Sequence, residues 1–224
     1  MKEIINLNGI KDGNVRGLRK RWLYSSSSSF HIMCDYLQKI GYSIQDLNNE
    51  IECLNEPEMK DLIYIISLCC WINDSVKFIK NGINSKVLKG FCFSRFDELQ
   101  KVKQFLSSIR SFVVAHPLET NQHSNYGFDG NYICVDIRHD CPLSMNFEKF
   151  DKDYYKLDLD GLHHSKVMCD GYLYCYSKKE GNKYFVYIGF NYSDLYHIAE
   201  VLVEELYELD YFLSKKKKKE YLEK

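Results

Sequence analysis

The stretch "SRFDELQKVKQFLSSIRSFVVAHPLET", residues 94–120, decides the fold. Phe96, Leu99, Val102, Leu106, Ile109 and Val113 recur at spacings of three and four. That period predicts a helix of about five turns with a single apolar stripe facing a core. Ser94 is placed to cap its start, and Asp97 and Glu98 suit the positive end of the helix dipole. Pro117 pushes His116 out of helical geometry and stops the helix.

Working back from this helix, Phe30, Met33, Leu37 and Ile40 mark a short amphipathic helix that Gly41 is expected to end. Ser43 and Asp46 open a second short helix carrying Ile44, Leu47, Ile51 and Leu54. Asn55 and Pro57 open a third, which runs to about Lys80 and closes at Asn81-Gly82. Residues 62–72, with Cys69, Cys70 and Trp71, are apolar almost all round, a pattern that belongs at the centre of a bundle or in an interface between copies. A homodimer is therefore expected.

Beyond Pro117 the period changes from helical to twofold. Ile133, Val135 and Ile137 alternate with Cys134, Asp136 and Arg138, as in a half-buried strand. Tyr172, Tyr174 and Tyr176 repeat the alternation, and residues 177–183 turn the chain into a further strand at 184–188, giving a hairpin. Residues 154–159 supply another strand. The last element is a helix capped by Ser193, starting at Asp194 and striped by Leu195, Ile198, Leu202, Leu206, Leu209 and Leu213, with Lys215 to Lys219 prolonging it. The expected fold is α+β: a four- to five-helix bundle with a small inserted antiparallel sheet of three or four strands. The segments are a basic N-terminal arm (1–28), the helical bundle (29–117), the sheet insertion (118–192) and a C-terminal helix packing back on the bundle (193–224).

A chain of 224 residues, 45% hydrophobic, can bury a sizeable core. Its net charge of −1 excludes a general nucleic-acid coat, so any contact with RNA must come from local basic patches. Nine cysteines are an odd count, and the first residues carry no apolar signal core, so a reducing cytoplasm is expected rather than a disulfide framework. The run 62–72 is well short of the roughly 20 residues a membrane span needs, and no membrane association is expected. There is no Gly-Lys-Ser/Thr phosphate loop and no Gly-x-Gly-x-x-Gly fingerprint.

At the end of the organising helix stand Arg110, Ser111 and, after four further residues, His116, followed by proline. This sequence resembles the arginine, polar residue, histidine signature of HEPN domains, helical bundles frequent among toxins and abortive-infection proteins, many of which end the motif "AH" or "AHP" as here. The resemblance implies metal-independent endoribonuclease activity or RNA binding in a bacterial defence or toxin system, with no cofactor. His116 would move a proton during attack by a ribose 2′-hydroxyl, Arg110 would stabilise charge on the phosphorane, and Ser111 would orient either partner. Ser111 stands where Asn or Asp is commoner in that family. Arg16, Arg19, Arg21 and Lys103 are the expected phosphate-contacting side chains, and Trp22 and Tyr24 beside the first three suit bases. Arg110 and His116 also complement a helix C-terminus without any chemistry.

Two other groupings compete for function. Tyr172, Tyr174 and Tyr176 would give the sheet a tyrosine-rich face suited to a protein partner, as in a non-enzymatic inhibitor or regulator. Asp136, Arg138, His139, Asp140 and Cys141, with Asp158, Asp160, His163, His164 and Cys169, contain metal-binding residue types. They lack any Cys-x-x-Cys or His-Glu-x-x-His spacing, so charged turns account for them and no metal is expected.

Overall fold

The structure, a computed structural model, describes residues 15–54, 57–115, 132–138, 154–179 and 182–218. After a short 3-10 turn at Arg21–Leu23 come the helices α1 (Ser27–Cys53), α2 (Met59–Gly82), α3 (Ser85–Leu88) and α4 (Phe96–Arg110), the last running into a π-helical turn at Ser111–Ala115. Among the described residues five strands follow: β1 (Tyr132–Arg138), β2 (Tyr154–Asp158), β3 (Gly161–His164), β4 (Gly171–Lys179) and β5 (Asn182–Phe190). Helix α5 (Tyr192–Ser214) is last. The α+β fold, a helical bundle with a small inserted sheet, is as the sequence predicts.

The chain forms two compact units. The described residues of Met1–Cys53, Leu68–Leu99 and Ala199–Lys224 make up the first, and those of Leu54–Ser67 and Gln100–Ile198 the second. Each of α2, α4 and α5 contributes to both, so the units interleave along the chain.

In the first unit α1 is one continuous helix, not two. Gly41 was expected to stop it, but a glycine inside a helix costs only about 1 kcal/mol relative to alanine. Met33, Leu37, Ile40, Ile44 and Leu47 keep the stripe unbroken across it and are all buried. Burying each such side chain contributes roughly 1.5–3 kcal/mol, which outweighs the glycine.

Helix α2 has its expected span, yet it is not buried on every side. Trp71 is 41% exposed and Phe78 49%, with Lys39 of α1 lying over the Trp71 ring and Tyr36 stacked on Phe78 at 5.3 Å. Although its uninterrupted apolar run is short, α2 as a whole is long and apolar enough to cross a bilayer by length and composition, with half of its most apolar stretch buried inside the protein.

Residues 15–23 are not a solvated arm. Val15, Leu18 and Leu23 are buried, and Gly17 packs so tightly on α5 that an added Cβ would lie 2.0 Å from the Asp210 carbonyl oxygen. The Leu18 N–H donates to the Asp210 carboxylate at 2.8 Å, and the Lys20 ammonium donates to the carbonyls of Leu213, Ser214 and Lys216. That ammonium satisfies orphan carbonyls at the end of α5, which stops at Ser214 instead of continuing through the lysines. Lys215 and Lys216 fold back over the Tyr211 and Phe212 rings.

The second unit holds the sheet, in the order β1-β4-β5-β2-β3. It has five strands and is mixed: β1–β4, β4–β5 and β2–β3 are antiparallel, but β2 runs parallel to β5. The expected β4–β5 hairpin is present, in register from Gly171↔Phe190 to Lys179↔Asn182. β3 was read as part of a turn. A bulge between Cys134 and Asp136 breaks the alternation of β1, leaving Val135 exposed where Ile137 is buried. Leu157, Leu173, Cys175, Val186 and Ile188 are fully or almost fully buried on one side of the sheet.

The stripes of α4 and α5 fall where the periodicity puts them except at Phe96, and both helix starts differ from those expected. Phe96 is exposed. Ser94 does not cap α4: its N–H and hydroxyl donate to the Glu208 carboxylate, while Arg95 pairs with Glu98 and Glu204. Helix α5 starts at Tyr192, two residues before the expected position, with the Asp194 N–H on the Asn191 carbonyl.

Candidate functional site

Arg110 is the last α-helical residue of α4, and its side chain is exposed. Among the described residues it makes no ion pair. Immediately after it the chain widens into the π-helical turn, whose first residue is Ser111. Ser111 is buried and its hydroxyl has no hydrogen-bond partner among the described residues, while Phe112 and Val113 anchor the turn in the core. An unpartnered buried hydroxyl costs on the order of 1–3 kcal/mol. Such one-turn π segments recur at functional positions because they change which side chains share a face. His116 lies outside the described residues, so the structure places Arg110 and Ser111 and leaves the third member of the motif undescribed.

Lys103 is half-buried on α4, two turns before Arg110 and therefore on nearly the same face, about 10 Å along the axis. Arg16, Arg19 and Arg21 are exposed, as phosphate-contacting residues must be, but they belong to the first unit, whereas Lys103 and Arg110 belong to the second.

Strand β1 lies beside the π-helical turn. From that strand the Arg138 guanidinium sits over the Tyr174 ring, 5.5 Å from its centroid, with the Asp136 carboxylate 3.9 Å away. Tyr174 is the centre of a ring cluster: Tyr176 meets it edge-on at 5.5 Å, Tyr187 lies at 5.2 Å, and Tyr187 stacks on Tyr154 at 5.4 Å. Burial, and then the hydrogen bond to Tyr176, push the Tyr174 hydroxyl up to about 12, with Arg138 opposing. The tyrosine face therefore exists, but not with all the expected members. Tyr172 is buried, and its hydroxyl accepts the Cys169 N–H at 2.9 Å. Tyr187 was missed, although it sits directly opposite Tyr174 across the β4–β5 ladder, and Tyr154, stacked behind it, is buried like Tyr172.

The Asp/His grouping resolves into ordinary ion pairs. Lys156 pairs with Asp158 at 3.1 Å, Lys101 with Asp160 at 2.7 Å, and His163 Nδ1 lies 3.8 Å from Asp158. His164 packs on Tyr155, with ring centroids 4.3 Å apart. Among the described residues no three His, Cys, Asp or Glu side chains are grouped to hold a metal ion. His139, Asp140 and Cys141 lie outside them.

Asp194, in the first turn of α5, was not singled out from the sequence. Its inner carboxylate oxygen is buried without a hydrogen-bond partner among the described residues, and burial raises its pKa while Lys156 pulls it down. Asp170 holds the same helix start by accepting the Tyr192 N–H.

No family model, no curated protein and no solved structure matches the chain.

Proposed function

We propose that the protein is a HEPN-like RNA-binding or RNA-cutting component of a defence or toxin system, acting through Arg110, Ser111 and His116. The observation that carries this reading is the placement of Arg110: an exposed guanidinium where α4 gives way to a π-helical turn, with Lys103 behind it on the same helix face. A guanidinium there can meet a phosphate with two parallel donors and stabilise the charge that builds up on a phosphorane. His116 would supply the proton transfer, and no metal would be needed. The test is purified protein on mixed RNA in EDTA, comparing wild type with His116→Ala and Arg110→Ala. Wild type should cut, leaving cyclic phosphate ends, and each variant should lose at least about a hundredfold in rate. Equal cutting by all three, or none by wild type, removes the nuclease reading.

A second reading rests on the ring cluster. Tyr174, Tyr176 and Tyr187 with Arg138 form a half-exposed patch of the residue types that dominate protein interfaces. The adjoining charges are already paired, Arg138 with Asp136 and Lys156 with Asp158, which favours a protein over a polyanion as the occupant. On this reading the protein is a non-enzymatic inhibitor or regulator, and Tyr174→Ala abolishes partner capture while leaving any RNA cutting intact. Homodimerisation is proposed through the open side of α2 at Trp71, and light scattering should then give about twice the chain mass.

A further inference from the structure

Cys134 of β1 and Cys175 of β4 are direct partners in the antiparallel ladder. Directly opposed residues hold their Cβ atoms about 4.5–5.5 Å apart, close to the separation a disulfide requires. The two thiols are near enough to interact, since Cys134 helps to raise the Cys175 pKa. Their exposure differs: Cys134 is half-exposed, whereas Cys175 is fully buried. The bulge that follows Cys134 disrupts the ladder locally and gives β1 room to adjust the separation.

We infer that Cys134 and Cys175 form a redox site in which a peroxide converts the opposed thiols into a cross-strand disulfide. Cys134 reacts first, because it alone of the pair reaches solvent. Its thiolate sulfur attacks one peroxide oxygen, the O–O bond breaks, and hydroxide leaves to take up the proton that Cys134 released, forming water. Cys134 is then a sulfenic acid, oxidised by two electrons, and the peroxide is reduced by two. The Cys175 sulfur attacks the Cys134 sulfur, the S–S bond forms, the S–OH bond breaks, and hydroxide departs as a second water with the Cys175 proton. Burial, and then the neighbouring Cys134 side chain, keep the Cys175 thiol well above the ordinary thiol range, so it stays protonated until its partner is oxidised. The product staples an edge strand, β1, to the interior strand β4. Reduction by a dithiol reverses it. This site is independent of the RNA and partner-binding readings above.

The test uses the full chain, reduced and then titrated with hydrogen peroxide at neutral pH, with peptide mapping under non-reducing conditions. The intact mass should fall by about 2 Da, and a linked peptide pair should contain Cys134 and Cys175. That link should form at least about tenfold faster than the exposed Cys34 and Cys92 are lost to oxidation, because neither has a resolving partner in place among the described residues. Cys134→Ser, at a half-exposed position, should abolish the mass loss. Cys175→Ala should leave Cys134 as a sulfenic acid that a carbon-acid reagent traps; if that buried change unfolds the chain, the Cys134→Ser result decides. A mass loss that persists in Cys134→Ser, a link joining other cysteines, or oxidation of Cys34 and Cys92 ahead of the pair would each overturn the assignment.

Discussion

Removing the Asp210 carboxylate tests the anchoring of residues 15–23. Asp210 is 9% exposed and accepts the backbone N–H of Leu18 at 2.8 Å. In Asp210→Ala the Leu18 N–H loses its partner in a buried place, at about 1–3 kcal/mol. Part of that loss is returned, because burial already disfavours the charged carboxylate: its pKa is raised even though the Leu18 and Gly17 backbone and Lys20 pull it down. The net expectation is a destabilisation of about 1–2 kcal/mol, read as a lower urea midpoint at constant slope. Asp210→Asn keeps one acceptor oxygen and should lose about half as much. The pH dependence has a definite sign. A carboxyl whose folded pKa lies above its unfolded value contributes most below the unfolded value, near 4, and loses that contribution as pH rises through the folded one. The advantage of wild type over Asp210→Asn should therefore shrink as pH rises above about 4. A midpoint for Asp210→Ala within about 0.5 kcal/mol of wild type would refute the claim that this carboxylate anchors the segment.

Three further substitutions bear on the same unit. Gly41→Ala should stabilise by about 0.5–1 kcal/mol in urea unfolding, because a Cβ there meets nothing within 4 Å and the residue is mid-helix. Gly17→Ala should destabilise by at least about 1–3 kcal/mol, because the new methyl would strike backbone atoms of Asp210 and Ser214, which cannot rotate away. Lys80→Ala removes one partner of the buried Glu205 carboxylate and should cost about 1.5–3 kcal/mol, whereas Lys80→Met combined with Glu205→Leu should recover most of it in a double-mutant cycle.

The parts of the fold that were legible in the sequence are the long periodic ones. Leu195, Ile198, Leu202, Leu206, Leu209 and Leu213 are all fully buried, as the 3.6-residue period of α5 requires. Local signals misled where tertiary packing outweighed them: Gly41 reads as a stop, but the stripe on either side of it holds the helix together. The bulge after Cys134 has no signature in an alternating run, and β3 is only four residues long, too short for its period to register. Tyr172 follows the same alternation as Tyr174 and Tyr176, and only the fold of the chain at Cys169 explains why it alone is buried. In the candidate site, the exposed position of Arg110 follows from its place at the helix end. The π-helical turn does not, because nothing in "SFVVA" distinguishes it from one more α-helical turn.

The packing of residues 15–23 on α5 also bears on synthesis. Leu18 and its carboxylate partner are 192 positions apart. At a ribosomal rate of about 5–20 residues per second, the segment emerges roughly 10–40 s before its partner has been made. Throughout that interval Leu18, Leu23 and the buried stripe of α1 have no complete surface to fold against, so the nascent chain presents an apolar face that a holding chaperone would recognise. The first unit closes only after its last helix leaves the ribosome, and a chain arrested before α5 should be insoluble or chaperone-bound, however well its earlier helices form.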